Sequence, residues 1–326
     1  MRIALIAPSF FGYKDDITAA AAEAGHSVQS YSDRPSEGVF FKSVGRINYA
    51  LLDPMIRRYF EELCAALEQT KPDVLLVVGG MSFCFSREQV EKLNQVTGAK
   101  LLAYLWDSLK NCQRIGDSID LFDQVFSFEP TDCEDGRVKF LPLFYSDAYG
   151  KIPLKPSSDF EYDACFVGSV HQGSKFAYVK AVIDELRAQG ANVFTHYYMP
   201  SKSVELLRKM QNGIYRGADL THKTLSKTQI VELYAKTKTI VDAPQSGQRG
   251  LTMRTIECVG SQRNLITANP DVMIYDFYKY GQVQYLPAGQ APSKEFAESM
   301  PQGIPNDVRI GYSIHSWLKK ILEAAE

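Results

Sequence analysis

Gly247-Gln248-Arg249-Gly250-Leu251-Thr252-Met253-Arg254-Thr255-Ile256-Glu257 follows one apolar run, Thr239-Ile240-Val241-Asp242-Ala243, and precedes another, Asn264-Leu265-Ile266-Thr267-Ala268. The spacing predicts strand, glycine turn, helix, strand. A helix that opens directly after a strand presents free backbone N–H groups and a positive dipole end, the standard seat for an anion in an α/β sheet. Arg254 adds a cation one turn inside, and Glu257 adds an acceptor suited to hydroxyls such as those of a ribose. The segment therefore points to a nucleotide.

The same alternation runs through the chain. Ile3–Ala7 reads as a strand, Asp16–Ala24 as a helix ending at Gly25, and His26–Tyr31 as a second strand. A helix is predicted over Pro54–Gln69. Pro72–Val78 is a continuous apolar run, as a parallel strand buried on both faces requires. Further strands are expected at Lys100–Leu105, Gln124–Phe128 and Val138–Leu141, with helices over Arg87–Val96 and near Asp117–Phe122. Lys151–Asp159, with Pro153, Pro156 and two serines, reads as a linker. The pattern then restarts with the strand Tyr162–Val167, the amphipathic helix Lys175–Gln189 and the strand Asn192–His196. It continues through helices near Ser203–Gln211 and at Lys227–Lys236, a late strand Gln282–Leu286 and a terminal helix Ile314–Ala325. Strands alternating with helices predict parallel sheets with right-handed crossovers. A length of 326 residues suits two such domains. They are expected over 1–155 and 156–312, with 313–326 packing back on the first.

Composition excludes several classes. A net charge of -2 offers no electrostatic case for nucleic acid. None of the six cysteines forms a C-x-x-C pair, so a zinc knuckle or thioredoxin-like site is not expected. Reduced, buried thiols and an N-terminus that reads as a strand rather than a leader predict a cytoplasmic protein. Five scattered histidines give no converging metal set.

Gly250-Leu-Thr-Met-Arg-Thr-Ile-Glu257, with Gly260 and Leu265–Asn269 behind it, resembles the capsule, lipopolysaccharide and spore-coat (CgeB-like) glycosyltransferases of bacteria. Phe122-Asp-Gln-Val-Phe-Ser-Phe128 with Asp132, and Phe166-Val-Gly-Ser169, are similar to the segments that close and open the two halves of those enzymes. The resemblance implies a GT-B fold, two Rossmann-like doubly wound domains facing a central cleft. It implies transfer of a sugar from a nucleotide sugar to a glycan or lipid-linked acceptor, without a metal or other cofactor. By the same resemblance, Gly250, Leu251, Thr252, Arg254, Thr255 and Glu257 hold the donor, Arg254 at the diphosphate and Glu257 at the ribose. The turn lacks the first carboxylate of the two-glutamate pattern of retaining enzymes, so the stereochemical outcome stays open.

Other candidates carry two readings each. Gly168, Ser169, His171 and Lys175 form a second strand-to-helix turn, either a diphosphate or donor-sugar contact or a polar loop. It lacks the ending of an ATP-binding P-loop. Asp107 follows a buried strand and reads as a catalytic base or a helix cap, with Asp132 the second candidate base. Phe10, Phe11 and Gly12 suit a loop stacking on an acceptor sugar. His222 precedes the helix before the nucleotide strand and reads as a base or phosphate contact. A UDP-sugar 2-epimerase of the same architecture and a non-catalytic two-domain binding protein remain alternatives. A peripheral contact of the N-terminal half with the inner face of a membrane would suit a lipid-linked acceptor.

Overall fold

A computed structural model describes residues 1–9, 11–38, 41, 44, 48–155 and 159–326. The chain divides into two compact units. The first is Met1–Leu143 with Ile314–Glu326, and the second is Phe144–Ser313.

The first unit holds a parallel six-stranded sheet of order β2-β1-β3-β4-β5-β6. Its strands are β1 (Arg2–Ile6), β2 (Ser27–Tyr31), β3 (Val74–Gly79), β4 (Lys100–Leu105), β5 (Gln124–Ser127) and β6 (Val138–Phe140). Every residue of β3 is buried, the outcome expected of its unbroken apolar run. The connecting helices are α1 (Tyr13–Glu23), α2 (Asp53–Thr70), α3 (Arg87–Thr97) and the short α4 (Gln113–Gly116). Helix α2 buries Ile56, Phe60, Leu63, Cys64 and Leu67, one face at helical spacing. Helix α3 starts at a capping box in which Ser86 and Gln89 satisfy each other's backbone N–H groups. Of the helix expected near 117–122 only a 3-10 turn forms, at Ile119–Leu121. The α-helical turn comes earlier, at α4, because Ile115 must pack on β3: a Cβ placed on Gly79 would lie 2.3 Å from Ile115 Cδ1.

The second unit repeats the plan with a sheet of order β12-β11-β10-β7-β8-β9. Its strands are β7 (Tyr162–Ser169), β8 (Val193–Tyr198), β9 (Leu220–Thr221), β10 (Thr237–Asp242), β11 (Asn264–Thr267) and β12 (Val283–Tyr285). Its helices are α5 (Asp147–Gly150), α6 (Gly173–Ala188), α7 (Lys202–Gln211), α8 (Lys227–Ala235), α9 (Met253–Ser261), α10 (Lys294–Glu298) and α11 (Asn306–Ile310). The terminal helix α12 (Ile314–Leu322) belongs to the first unit. It buries Trp317, whose ring meets Tyr104 of β4 edge-on at 4.8 Å, and it neighbours α1.

Residues just after the first unit are stitched into the second. Tyr145 N donates to Tyr312 O at 3.0 Å, and Arg309 Nη1 donates to Gly150 O at 3.0 Å and Gly260 O at 3.2 Å. Arg263, 1% exposed, donates from Nε to Tyr234 O and from Nη2 to Pro153 O. Its burial, slightly offset by Cys258, lowers its pKa to about 10. Of the proline- and serine-rich stretch, Pro156, Ser157 and Ser158 lie outside the described residues. All six cysteines are free, and five of them are buried. Among the described residues no helix is long and apolar enough to cross a membrane.

Candidate functional site

In the second sheet the chain steps from β7 to β8 in one direction and from β10 to β11 in the other. Neighbouring strands β7 and β10 therefore define the topological switch point, where an open α/β sheet leaves a crevice beyond its carboxyl ends. The two glycine-bearing turns singled out in the sequence are the loops that leave these two strands. They also touch each other: Gln172 Oε1 accepts from Ser246 N at 3.4 Å.

Asp242, the last residue of β10 and 2% exposed, organises the site. One carboxylate oxygen accepts from Thr252 Oγ1 at 2.7 Å and from Thr255 Oγ1 at 3.1 Å. Thr252 is the N-cap of α9 and accepts from Thr255 N at 3.2 Å. The other oxygen of Asp242 stands 4.0 Å from Arg254 Nε. Arg254 also donates to the Tyr234 hydroxyl at 3.0 Å, and its side chain remains 20% exposed. Burial works against its charge, but the Tyr234 hydroxyl, the carboxylates of Glu257 and Asp242, and Tyr149 together outweigh burial and raise its pKa. Lys175, in the first turn of α6, shares this field. Burial is the chief cause of its lowered pKa; Asp242 opposes the shift and Arg254 adds to it. Two cations and two helix N-termini thus converge around one carboxylate.

Glu257 lies deeper, at 4% exposure. Its carboxylate takes a hydrogen bond from Tyr149 of α5, whose pKa is raised by burial first and by Glu257 second. Arg254 is half-buried and Glu257 buried, so the two are not a surface ion pair, and Glu257 helps to hold the arginine charged. Gly250 is buried, its carbonyl accepting from Gln248 Nε2 at 2.8 Å. Leu251 and Thr255 are buried as well, so they shape the turn from beneath. Arg249 pairs with Asp271 at 3.0 Å.

In the β7 turn, Gly168 and Ser169 end the strand and Ser169 Oγ meets His171 Nδ1 at 2.7 Å. His222 sits apart from this constellation, at the far edge of the sheet. Its Nδ1 meets Met199 O at 2.9 Å and its Nε2 meets Glu205 at 2.8 Å.

The first sheet has its own switch point, between β1 and β3. Gly12 (φ 72°) caps α1, and Phe11 before it adopts φ 46° while 41% exposed. A left-handed aromatic is a strained arrangement that turns an apolar ring outward. Phe10 lies outside the described residues. Asp107 follows β4, and its Oδ2 accepts from Met81 N at 3.1 Å. A Cβ on Gly80 would fall 2.6 Å from that oxygen, so glycine is what admits it. Asp132 accepts from Ser127 Oγ at 2.6 Å and Leu109 N at 2.9 Å, and burial raises its pKa.

Sequence reasoning missed Asp242, Tyr234 and Tyr149. An aspartate closing an otherwise apolar strand was a usable signal for the first. The two tyrosines gave none, because nothing local distinguishes them.

No protein-family model matches the chain, and no curated protein matches it in sequence. Solved structures do. A glycosyltransferase from Rickettsia africae superposes with a TM-score of 0.62 at 11% identity, over 99% of this chain and 97% of that one. An alpha-glucosyltransferase, solved with UDP and a mismatched DNA 13-mer, gives 0.55 at 12% identity over 100% and 90%. A UDP-GlcNAc 2-epimerase from Neisseria meningitidis, solved with UDP-GlcNAc, gives 0.54 at 10% identity over 99% of each chain. At such identities the likeness speaks for fold. The protein has the GT-B fold, two Rossmann-like units in one chain, and its structural neighbours are glycosyltransferases and UDP-GlcNAc 2-epimerases.

Proposed function

We propose that the chain is a glycosyltransferase that moves a sugar from a nucleotide sugar to a glycan or lipid-linked acceptor, in the synthesis of bacterial surface polysaccharide. The observation that carries the reading is the convergence of Lys175, Arg254 and the N-termini of α6 and α9 at the switch point of the second sheet. Neutralising a departing diphosphate calls for such an array of fixed positive charge and backbone donors, and no metal is needed for it. Gly168, Ser169 and His171 border the same crevice on the side of β7. Glu257 is the candidate ribose acceptor, within the reach its burial leaves. Loops at the switch point of the first unit, with Phe11 and Gly12, would take the acceptor. There Asp107, or else Asp132, would receive the proton as the acceptor oxygen bonds to the anomeric carbon and the sugar–diphosphate bond breaks.

Thermal stabilisation by nucleoside diphosphates, followed by assay of diphosphate release from nucleotide sugars with and without acceptors, tests the reading. Saturating ligand should add a few kcal/mol, on the order of RT ln(1 + [L]/Kd). Arg254→Gln should weaken binding by about tenfold or more, the worth of a charge-assisted contact. Release should survive EDTA and depend on acceptor. Acceptor-independent turnover of the sugar itself would instead mark an epimerase, and no stabilisation by any nucleotide would overturn both.

A further inference from the structure

Helix α7 packs Val204 on the core of its unit but turns most of its apolar side chains to solvent. Glu205 and Lys209, on the side that meets the unit, have side chains 20% and 36% exposed. Leu206, Leu207 and Met210 are 63%, 50% and 75% exposed. Spacing of one and four residues puts these three on one stripe of the helix, facing away from the protein. Polar contacts hold the helix in this orientation. Ser201 caps it, accepting from Val204 N at 3.3 Å, and Glu205 meets His222 at 2.8 Å. The turn that follows is fixed by buried Tyr215, stacked on Phe176 at 4.9 Å. An isolated exposed leucine needs no explanation, but a rigidly presented apolar stripe marks a surface for something.

The surrounding charge says what it fits. Residues 201–227 contain Lys202, Arg208, Lys209, Arg216, Lys223 and Lys227 against Glu205 and Asp219, in a chain whose net charge is -2. Lys202, Arg216 and Lys223 are exposed. An apolar stripe on a helix that itself carries Lys202, Arg208 and Lys209, with further exposed basic residues in the segment that follows, supplies the two signals that peripheral membrane binding needs, apolar insertion and attraction to anionic headgroups. A second copy of the same patch would bring like charges together in any two-fold contact, which disfavours self-association there. We infer that α7 docks the second unit on an anionic lipid surface, with Leu206, Leu207 and Met210 entering the headgroup boundary.

Flotation of the full chain with vesicles decides the matter. Binding is expected to vesicles of equal parts phosphatidylcholine and phosphatidylglycerol, and not to phosphatidylcholine alone. Leu206→Ser with Leu207→Ser should weaken that binding by at least about tenfold, and Lys202→Glu with Arg216→Glu by a similar factor that shrinks at high salt. Unchanged melting temperatures show that the variants are folded; should the double serine variant melt early, the charge-reversed pair carries the test. The inference is overturned if the wild type ignores anionic vesicles, or if folded variants bind them equally. It is also overturned if sedimentation finds a dimer, or a complex with an acidic protein, that Leu206→Ser abolishes while vesicle binding persists.

Discussion

Lys175 and Arg254 illustrate how one carboxylate poises two cations. Asp242 opposes the burial of Lys175, yet burial prevails and leaves its pKa below the ordinary lysine range. A bound diphosphate would pull that pKa back up, because opposite charge favours the ammonium. The sign follows directly. Binding prefers protonated Lys175, so nucleoside diphosphate affinity should fall as pH rises through the lowered pKa, at lower pH than an unperturbed lysine would dictate. The loss should reach about tenfold, in line with one charge-assisted contact. Lys175→Arg, which keeps its charge, should flatten the profile. Titration calorimetry across alkaline pH reads both. Arg254 and Glu257 were legible as a pair because they share one helix; that Glu257 is buried, with Tyr149 behind it, was not.

At the scale of elements, α9 is fixed at both ends by residues that do not belong to it. Asp242 organises its start through Thr252 and Thr255. Near its end, Gly260 lies against Tyr145: a Cβ there would stand 2.4 Å from Cγ of the ring and 2.8 Å from its Cβ. These atoms are the root of the side chain and cannot swing aside. Gly260→Ala should therefore destabilise the protein by about 1–3 kcal/mol or more, although alanine is the better helix former. A melting temperature equal to the wild type's would show that the Tyr145 contact yields. The glycine's place in the motif was plain in the sequence, but its reason, a tyrosine from a distant segment, was not. The short α4 teaches the same lesson, since its position follows from Ile115 packing on Gly79 and not from its own periodicity.

At the scale of the whole molecule, the chain changes unit between Leu143 and Phe144 and returns to the first unit at Ile314. A fragment of residues 144–313 should fold and keep its stabilisation by nucleoside diphosphates. A fragment beginning at 156 loses Tyr145, Tyr149 and the Pro153 carbonyl, which leaves Glu257 and Arg263 with unmet buried partners at about 1–3 kcal/mol each. It should melt lower and bind more weakly; equal melting and binding of the two fragments would refute the role given to the 144–153 segment. Periodicity and turn residues alone determined that the chain builds two parallel sheets and that glycine-bearing strand-to-helix turns follow β7 and β10. Such information is local, carried by residues a few positions apart. Strand order, which makes β7 and β10 neighbours and so brings Lys175 to Arg254, was decided only by tertiary structure. So was the placing of Tyr149 behind Glu257 and of the apolar stripe of α7 toward solvent. Each depends on contacts between segments far apart in the chain, and no local preference encodes these.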